Sequence, residues 1–356
     1  MYAISKKTTG KDGAKVNSVS VAHVLLLLLL VGVVLSVFVR TAVISKDIHA
    51  EHDYLSFAVT LELADESLTD IFYIFDIETN ELIKIAEIPA FASYQPGFVD
   101  YSNRKIFYAH RTNVKEGDAI FALDIDSYET NRLTNPSYAF NYFFPLHNQI
   151  LLSVGGQVMQ AGLLDLRTNR MTYLDADEDD EACQFISYSY NGNRIIYLTY
   201  SDTQRRASFN AEEDTSKVDP PIYRLYSLST DLSKREFVHE FHDLEIENIA
   251  EISSCEFIFL SSRYVFDDSK KLAILNVHSE ETRVLSIPEL EEIDFFQVGP
   301  NGTDLYIIGK KLSTSEVGIF RYSLCDKQLQ KVISIQPDFE NISNFVIIRP
   351  TFLGKG

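Results

Sequence analysis

One short unit recurs six times along this chain, and it restricts the possible folds more than any other feature. Apolar residues run into a small polar residue, the chain turns, and a second run returns. The unit reads IFYIFDIETNELIKI at 71–85, AIFALDIDSYETNRL at 119–133 and AGLLDLRTNRMTYL at 161–174. It returns as IYRLYSLSTDLSKREFV at 222–238, LAILNVHSEETRVL at 272–285 and GIFRYSLCDKQLQKVI at 318–333. Aligned on Asp76, Asp124, Asp165, Ser227, Asn276 and Ser323, the copies are spaced by 48, 41, 62, 49 and 47 residues. A strand-built repeat of roughly 40–50 residues is the signature of propeller blades.

The segments between the repeats complete the blades. GFVDYSNRKIFYAHR at 97–111, FNYFFPLHNQILLSVGG at 140–156 and QFISYSYNGNRIIYLTY at 184–200 each read as a hairpin ahead of the next repeat. So do IENIAEISSCEFIFLSSRYVF at 246–266 and IDFFQVGPNGTDLYIIGK at 293–310. The Asn191-Gly192 pair marks a tight turn within one of them. The first repeat has only one strand before it, LSFAVTLEL at 55–63, whereas SNFVIIRP at 343–350 is left over at the other end. Sewing this last strand into the first blade closes the ring and hides both sheet edges. The expected fold is therefore all-β: a six-bladed β-propeller over residues 54–350, closed by its C-terminal strand. The 24 Phe and 19 Tyr suit packing between twisted sheets. No stretch after residue 40 has helical periodicity of useful length.

Ahead of the propeller lies VSVAHVLLLLLLVGVVLSVFV at 19–39. Its 21 residues, at about 1.5 Å of rise each, match a hydrocarbon core of about 30 Å and exceed a cleavable signal's apolar core of about 7–15 residues. Lys6, Lys7, Lys11 and Lys15 precede it. The positive-inside bias then predicts a cytoplasmic tail at 1–18, a single transmembrane helix acting as signal anchor at 19–39 and a linker at 40–53. The propeller and a short tail at 351–356 are expected on the extracytoplasmic side of the cell membrane. After residue 46 the chain holds 26 basic and 50 acidic residues, a balance of −24. That field repels nucleic acid and favours cations or basic protein surfaces.

The unit resembles the repeat of TolB-type and related six-bladed propellers. The turn of that repeat is echoed in YSYNGNRIIYL at 188–198, VGPNGTDLYII at 298–308 and DYSNRKIFY at 100–108. Its return is echoed in Asp124 with ETNRLT at 129–134 and in Asp165 with RTNRMTYL. The resemblance spans roughly residues 54–350 and implies the fold, together with the scaffold or partner-binding roles common among such propellers.

Catalytic strings are missing. No G-x-S-x-G elbow occurs, and the Gly155-Gly156 and Gly299–Gly302 glycines lead into neither a phosphate loop nor a helix. Asp175, Asp177 and Asp179 in DADEDDE are the candidate Ca²⁺ ligands, although Asp180 and Ile186 stand where a calcium loop needs glycine and glutamate. His239 and His242 are three apart on a strand, and His49 and His52 share that spacing, whereas a zinc helix needs four. His110 and His147 sit near strand turns and are candidates to line the channel. Cys183, Cys255 and Cys325 are too few for a disulfide framework and sit in or beside apolar runs, as buried thiols do. The polar insertion DTQRRASFNAEEDTSKVDPP at 202–221 reads as a long loop, either a binding element or mobile decoration. The expected function is a membrane-anchored binding scaffold for a protein or cell-envelope component, with no cofactor. A metal-dependent lactonase-like hydrolase or lyase is the alternative, requiring acidic and His or Asn side chains to converge on the axis.

Overall fold

The computed structural model describes residues 51–353, apart from interruptions at 92–95, 112–116, 138, 157, 175–179, 213, 215–216, 335–338 and 351–352. The apolar run at 19–39 lies outside the described residues. Among the described residues no helix is long and apolar enough to cross a membrane.

Six four-stranded antiparallel sheets make up the structure. The first holds β1 (Tyr54–Glu62), β2 (Leu68–Asp76) and β3 (Leu82–Ala90), and the second β4 (Gly97–Asp100), β5 (Lys105–Arg111), β6 (Asp118–Asp124) and β7 (Thr130–Arg132). The third holds β8 (Phe140–Leu146), β9 (Gln149–Gly155), β10 (Met159–Asp165) and β11 (Arg170–Tyr173). The fourth comprises β12 (Glu181–Tyr188), β13 (Ile195–Ser201), β14 (Tyr223–Leu228) and β15 (Arg235–Phe241), with helix α1 (Asp202–Ala211) between β13 and β14. In the fifth are β16 (Glu245–Ser253), β17 (Glu256–Ser262), β18 (Lys271–Asn276) and β19 (Glu281–Leu285). The sixth has β20 (Leu290–Val298), β21 (Asp304–Lys311), β22 (Val317–Ser323) and β23 (Leu329–Ser334). The last strand, β24 (Phe339–Ile348), crosses back to pair with β1 and becomes the innermost strand of the first sheet. The innermost strands β24, β4, β8, β12, β16 and β20 touch in a closed circuit, which makes the molecule a six-bladed propeller.

The repeated unit is legible in atomic detail. In five blades the third strand ends on the predicted polar residue, and that side chain caps the turn. Asp76 Oδ1 accepts from the Glu78 and Thr79 amides, Asp124 Oδ1 from Asp126 and Ser127, and Asp165 Oδ1 from Arg167 and Thr168. Asn276 Oδ1 accepts from His278 and Ser279, and Ser323 Oγ from Asp326. Four residues after each pivot comes a left-handed residue: Asn80, Tyr128, Asn169, Glu280 and Lys327, at φ between 54° and 59°. Asp, Asn and Ser are favoured there because a short polar side chain can stand in for the missing backbone partner. The fourth blade departs from the rule. Ser227 lies inside β14, and the turn is organised one residue pair later, where Ser229 Oγ and Asp231 share the capping. Replacing Asn276 with Ala is expected to cost about 1 kcal/mol, lowering the melting temperature by roughly 2 °C; an unchanged melting curve would count against the capping role.

The second strands of the blades are the most continuously buried, as in Ile150–Val154, Ile195–Leu198, Phe257–Leu260 and Leu305–Ile308, whereas innermost strands such as β16 and β20 mix apolar residues with Glu, Asn, Asp and Gln. Polar links cross the interfaces between blades where a backbone group would otherwise be stranded. Tyr54 donates to the Val99 carbonyl at 2.9 Å and accepts from the Tyr101 amide, and Asn248 donates to the Phe296 carbonyl at 2.8 Å. Gly192 and Gly302 adopt φ of 71° and 70° in the first hairpins of blades four and six, as the predicted Asn-Gly turns require. The three cysteines are free; Cys183 is buried, its thiol pushed up to about 12 by burial, but Cys325 is exposed, contrary to expectation.

Asp70 is buried in β2, where it accepts a hydrogen bond from Thr60 Oγ1 at 2.7 Å, and burial raises its carboxyl from 3.8 to about 6. A carboxyl raised in the folded state stabilises the fold only while protonated. Its contribution is full below about pH 3.8 and is lost as the pH rises through about 6. The displacement is worth roughly 3 kcal/mol at neutral pH. Asp70→Asn keeps the acceptor for Thr60 and removes the charge, but leaves two amide hydrogens to satisfy. Urea unfolding is expected to show a gain of roughly 1–2 kcal/mol at pH 8 and none at pH 4. Equal effects at both values would sink the argument.

Candidate functional site

The axis is the place where all six blades present side chains, and it is closed by aromatic rings. Phe185 of β12 is buried at the centre. Its ring lies 4.9 Å from Tyr142 and 6.3 Å from Phe144, both of β8, and 6.0 Å from Phe295 of β20. Phe295 continues the chain to Phe345 of β24 at 6.2 Å. These contacts are edge-to-face or tilted, the arrangements that ring quadrupoles favour. A bulge in β8, with Tyr142 at φ 53°, breaks the strand register between Asn141 and Phe144 beside this cluster.

On one side of this plug lies a cavity of about 320 Å³ lined by Tyr142, Phe143, Phe144, Phe295 and Phe345, with Ile308, Ile342 and Val346, and with Asp294 exposed at its margin. On the other side lies a small hollow of about 50 Å³ where Ser187, Glu251, Gln297 and Arg349 meet apolar walls that include Phe144 and Val298. Arg349 donates to the Tyr190 carbonyl, and Arg194 donates to Glu251. Burial lowers the Arg349 pKa, and the Asp53 carboxylate opposes that shift. Two roomier clefts, about 490 and 610 Å³, lie among outer strands and their turns, near Val284 and Tyr173.

The buried carboxylates are engaged in structure. Seven are buried among the described residues: Asp70, Asp76, Asp100, Glu181, Glu245, Glu251 and Asp304. Glu181 pairs with Arg235, whose guanidinium lies 3.6 Å over the Tyr226 ring, and also accepts from Thr199. Asp304 pairs with Arg321 at 2.7 Å, Asp100 accepts from Asn103, and Asp76 is bonded by His52 at 2.9 Å. Glu245 is held by Tyr223 at 2.6 Å and Arg205 at 3.3 Å.

Arg205 comes from the insertion at 202–221, whose first half is the helix α1 where a loop was expected throughout. Its N-cap is Ser201, whose hydroxyl accepts from the Gln204 amide at 3.1 Å, and Asp180 accepts from Thr203 at 2.6 Å. From α1, Arg205 reaches into the junction of blades four and five, stacks over Tyr200 at 4.8 Å and bonds Gln184 at 3.1 Å. Phe209 packs on Phe266, and Val218 is fully buried, its carbonyl bonded by the Val265 amide. The helix lacks an apolar stripe because its anchors are a guanidinium and one ring, so periodicity does not reveal it. The string Ser201-Asp-Thr-Gln204 has the spacing of a capping box and is the signal that marks its start.

Asp175, Asp177 and Asp179 lie outside the described residues, as does His49. The two acids that follow, Asp180 and Glu181, are occupied by the helix cap and by Arg235. The described histidines are dispersed. His110 sits on the second strand of its blade, off the axis, between Tyr108 and Phe121, and burial lowers its pKa. His239 packs edge-on against Phe241 in an outermost strand, and His242 pairs with Glu240 at 3.0 Å. His147 occupies the β8–β9 turn, paired through the backbone with Leu353. His52 contacts Asp76 and Glu78, which raise its pKa. Among the described residues no three His, Cys, Asp or Glu side chains gather as a metal-ligand set.

No protein-family model and no curated protein matches this chain. Solved structures do. TolB from Acinetobacter baumannii superposes with a TM-score of 0.52 at 13% identity, covering 82% of this chain and 66% of that one, a little under two thirds of its length. A putative TolB from Agrobacterium tumefaciens gives 0.52 at 10% identity, covering 80% and 90%. A chain of a nidogen/laminin complex gives 0.50 at 12% identity, covering 82% and 97%. At such identities the likeness is one of architecture, and on it this chain resembles the TolB-like six-bladed propellers at the level of the fold.

Proposed function

We propose that this chain is a binding module without catalysis. Residues 19–39 anchor it in the cell membrane, and an extracytoplasmic propeller presents a protein or cell-envelope component with a rigid surface. The observation that carries the reading is the occupation of the axis. Where a metal-dependent hydrolase or lyase on this fold would place converging ligands, the chain places Tyr142, Phe144, Phe185, Phe295 and Phe345. The buried carboxylates are held by arginines, hydroxyls and turn amides, and a group so held is poorly placed to exchange protons with a substrate. A ring closed by the pairing of β24 with β1 also suits a display scaffold, since rigid elements carry loops and mouths with little ordering cost.

Two measurements test this. Protease added to intact cells should digest the propeller and spare the tail at 1–18; protection of the propeller would refute the orientation. Crosslinking of the tagged full chain in native membranes, against a 1–53 control, should recover partners only with the propeller. Equal recovery from both would overturn the binding role.

A further inference from the structure

The cavity on the aromatic side of the plug has a composition that selects a chemical class. Its walls offer the faces and edges of Tyr142, Phe143, Phe144, Phe295 and Phe345, and its margin carries a carboxylate, Asp294. Ring faces attract cations, and they do so more strongly where water is displaced. Asp294 has no hydrogen bond or ion pair among the described residues. The lysines around it are otherwise engaged: Lys270 with Glu247 at 2.8 Å, and Lys310 with Glu292 at 2.9 Å and Glu291 at 3.3 Å. Lys270 attracts Asp294 from a distance while paired with Glu247, and Glu292 and Asp268 add negative charge close by, so a net negative charge stands beside an aromatic cavity, on a chain that carries a balance of −24 after residue 46. The cavity's 320 Å³ is many times the roughly 10–15 Å³ that one water needs, which leaves room for a long side chain.

We infer that this cavity receives a basic side chain, lysine or arginine, of a partner protein's segment. The aliphatic stem lies against the rings and the charged head reaches Asp294. The inference rests on the binding-module reading and specifies its partner as one presenting a basic residue to the axis.

The test uses the full chain in nanodiscs, with empty nanodiscs as the blank. Ligand-observed NMR compares 2-phenylethylammonium with its neutral isostere 2-phenylethanol. The cation is expected to bind about tenfold more tightly, and Asp294→Asn to reduce that preference to about twofold or less. Asp294 is exposed and bonded to nothing described, so the variant should melt with the parent chain. The peptide Ac-Ala-Leu-Lys-Leu-Ala-NH₂ should displace the cation, and its N-acetyl-lysine counterpart should not. Equal binding of the two small probes, or a preference untouched by Asp294→Asn, would overturn the inference. So would an amine that binds but is not displaced by the lysine peptide. Partner crosslinking is run alongside on the parent chain and on Asp294→Asn. Capture that persists without any cation preference sinks the basic-side-chain assignment alone, whereas failure of the parent chain to capture anything beyond the 1–53 control sinks the binding-module reading itself.

Discussion

Ending the chain after Ser334 is expected to abolish the cooperative unfolding of the propeller. The lost segment includes β24, which pairs with β1 from Tyr54 to Leu61 and is the innermost strand of the first blade. Ile342, Phe345, Val346 and Ile348 leave with it, each 6% exposed or less. Burying four such side chains is worth about 6–12 kcal/mol at roughly 1.5–3 kcal/mol each. That matches the whole stability of a typical domain, about 5–15 kcal/mol. The truncation also uncovers Leu55, Phe57 and Val59 and leaves β1 as a bare apolar edge, which invites association. With no tryptophan in the chain, tyrosine emission or circular dichroism in urea would report the transition. A sigmoidal curve with the parent slope would refute the closure argument. A circular permutant supplying residues 339–350 ahead of Tyr54 should recover the transition, because Tyr54 and Ile348 are already neighbours.

The second large effect concerns Arg205. Its side chain is 18% exposed and that of Glu245 is 3% exposed, so removing the guanidinium strands a carboxylate in the interior. Loss of one partner of a buried pair costs about 3–5 kcal/mol. Tyr223 still donates to Glu245, which places the expected cost of Arg205→Ala nearer 2–4 kcal/mol. Hydrogen exchange should rise along Asp202–Ala211 before it rises elsewhere, since the helix buries no residue of its own. The double variant Arg205→Met with Glu245→Leu removes both charges and should restore most of the lost stability. A single variant as stable as the parent would show that the pair is not what holds the helix. A double variant no better than the single would locate the loss in packing over Tyr200.

The propeller was readable in the sequence because its determinants are local. The pivots Asp76, Asp124, Asp165, Asn276 and Ser323 cap turns with their own side chains, so each leaves the same mark wherever a blade occurs. The spare C-terminal strand could be assigned by counting, since a sheet edge left open is costly whatever surrounds it. Ser227 misled for the same local reason: the fourth blade shifts its turn to Ser229 and Asp231, another small polar set two residues on. Function was far less legible, because the axis is assembled from residues remote in the chain. Tyr142, Phe185, Phe295 and Phe345 read individually as ordinary core aromatics, and only ring closure brings them together as a plug with a cavity beside it. The arginines behaved alike. Nothing near Arg205 in sequence announces Glu245, forty residues away, because a buried charge finds its partner through the packing of blades and not along the strand. Periodicity and turn chemistry, acting over a few residues, determined the fold from the sequence by itself. The site was decided by the tertiary structure, because burial and charge compensation depend on which blades come to lie side by side.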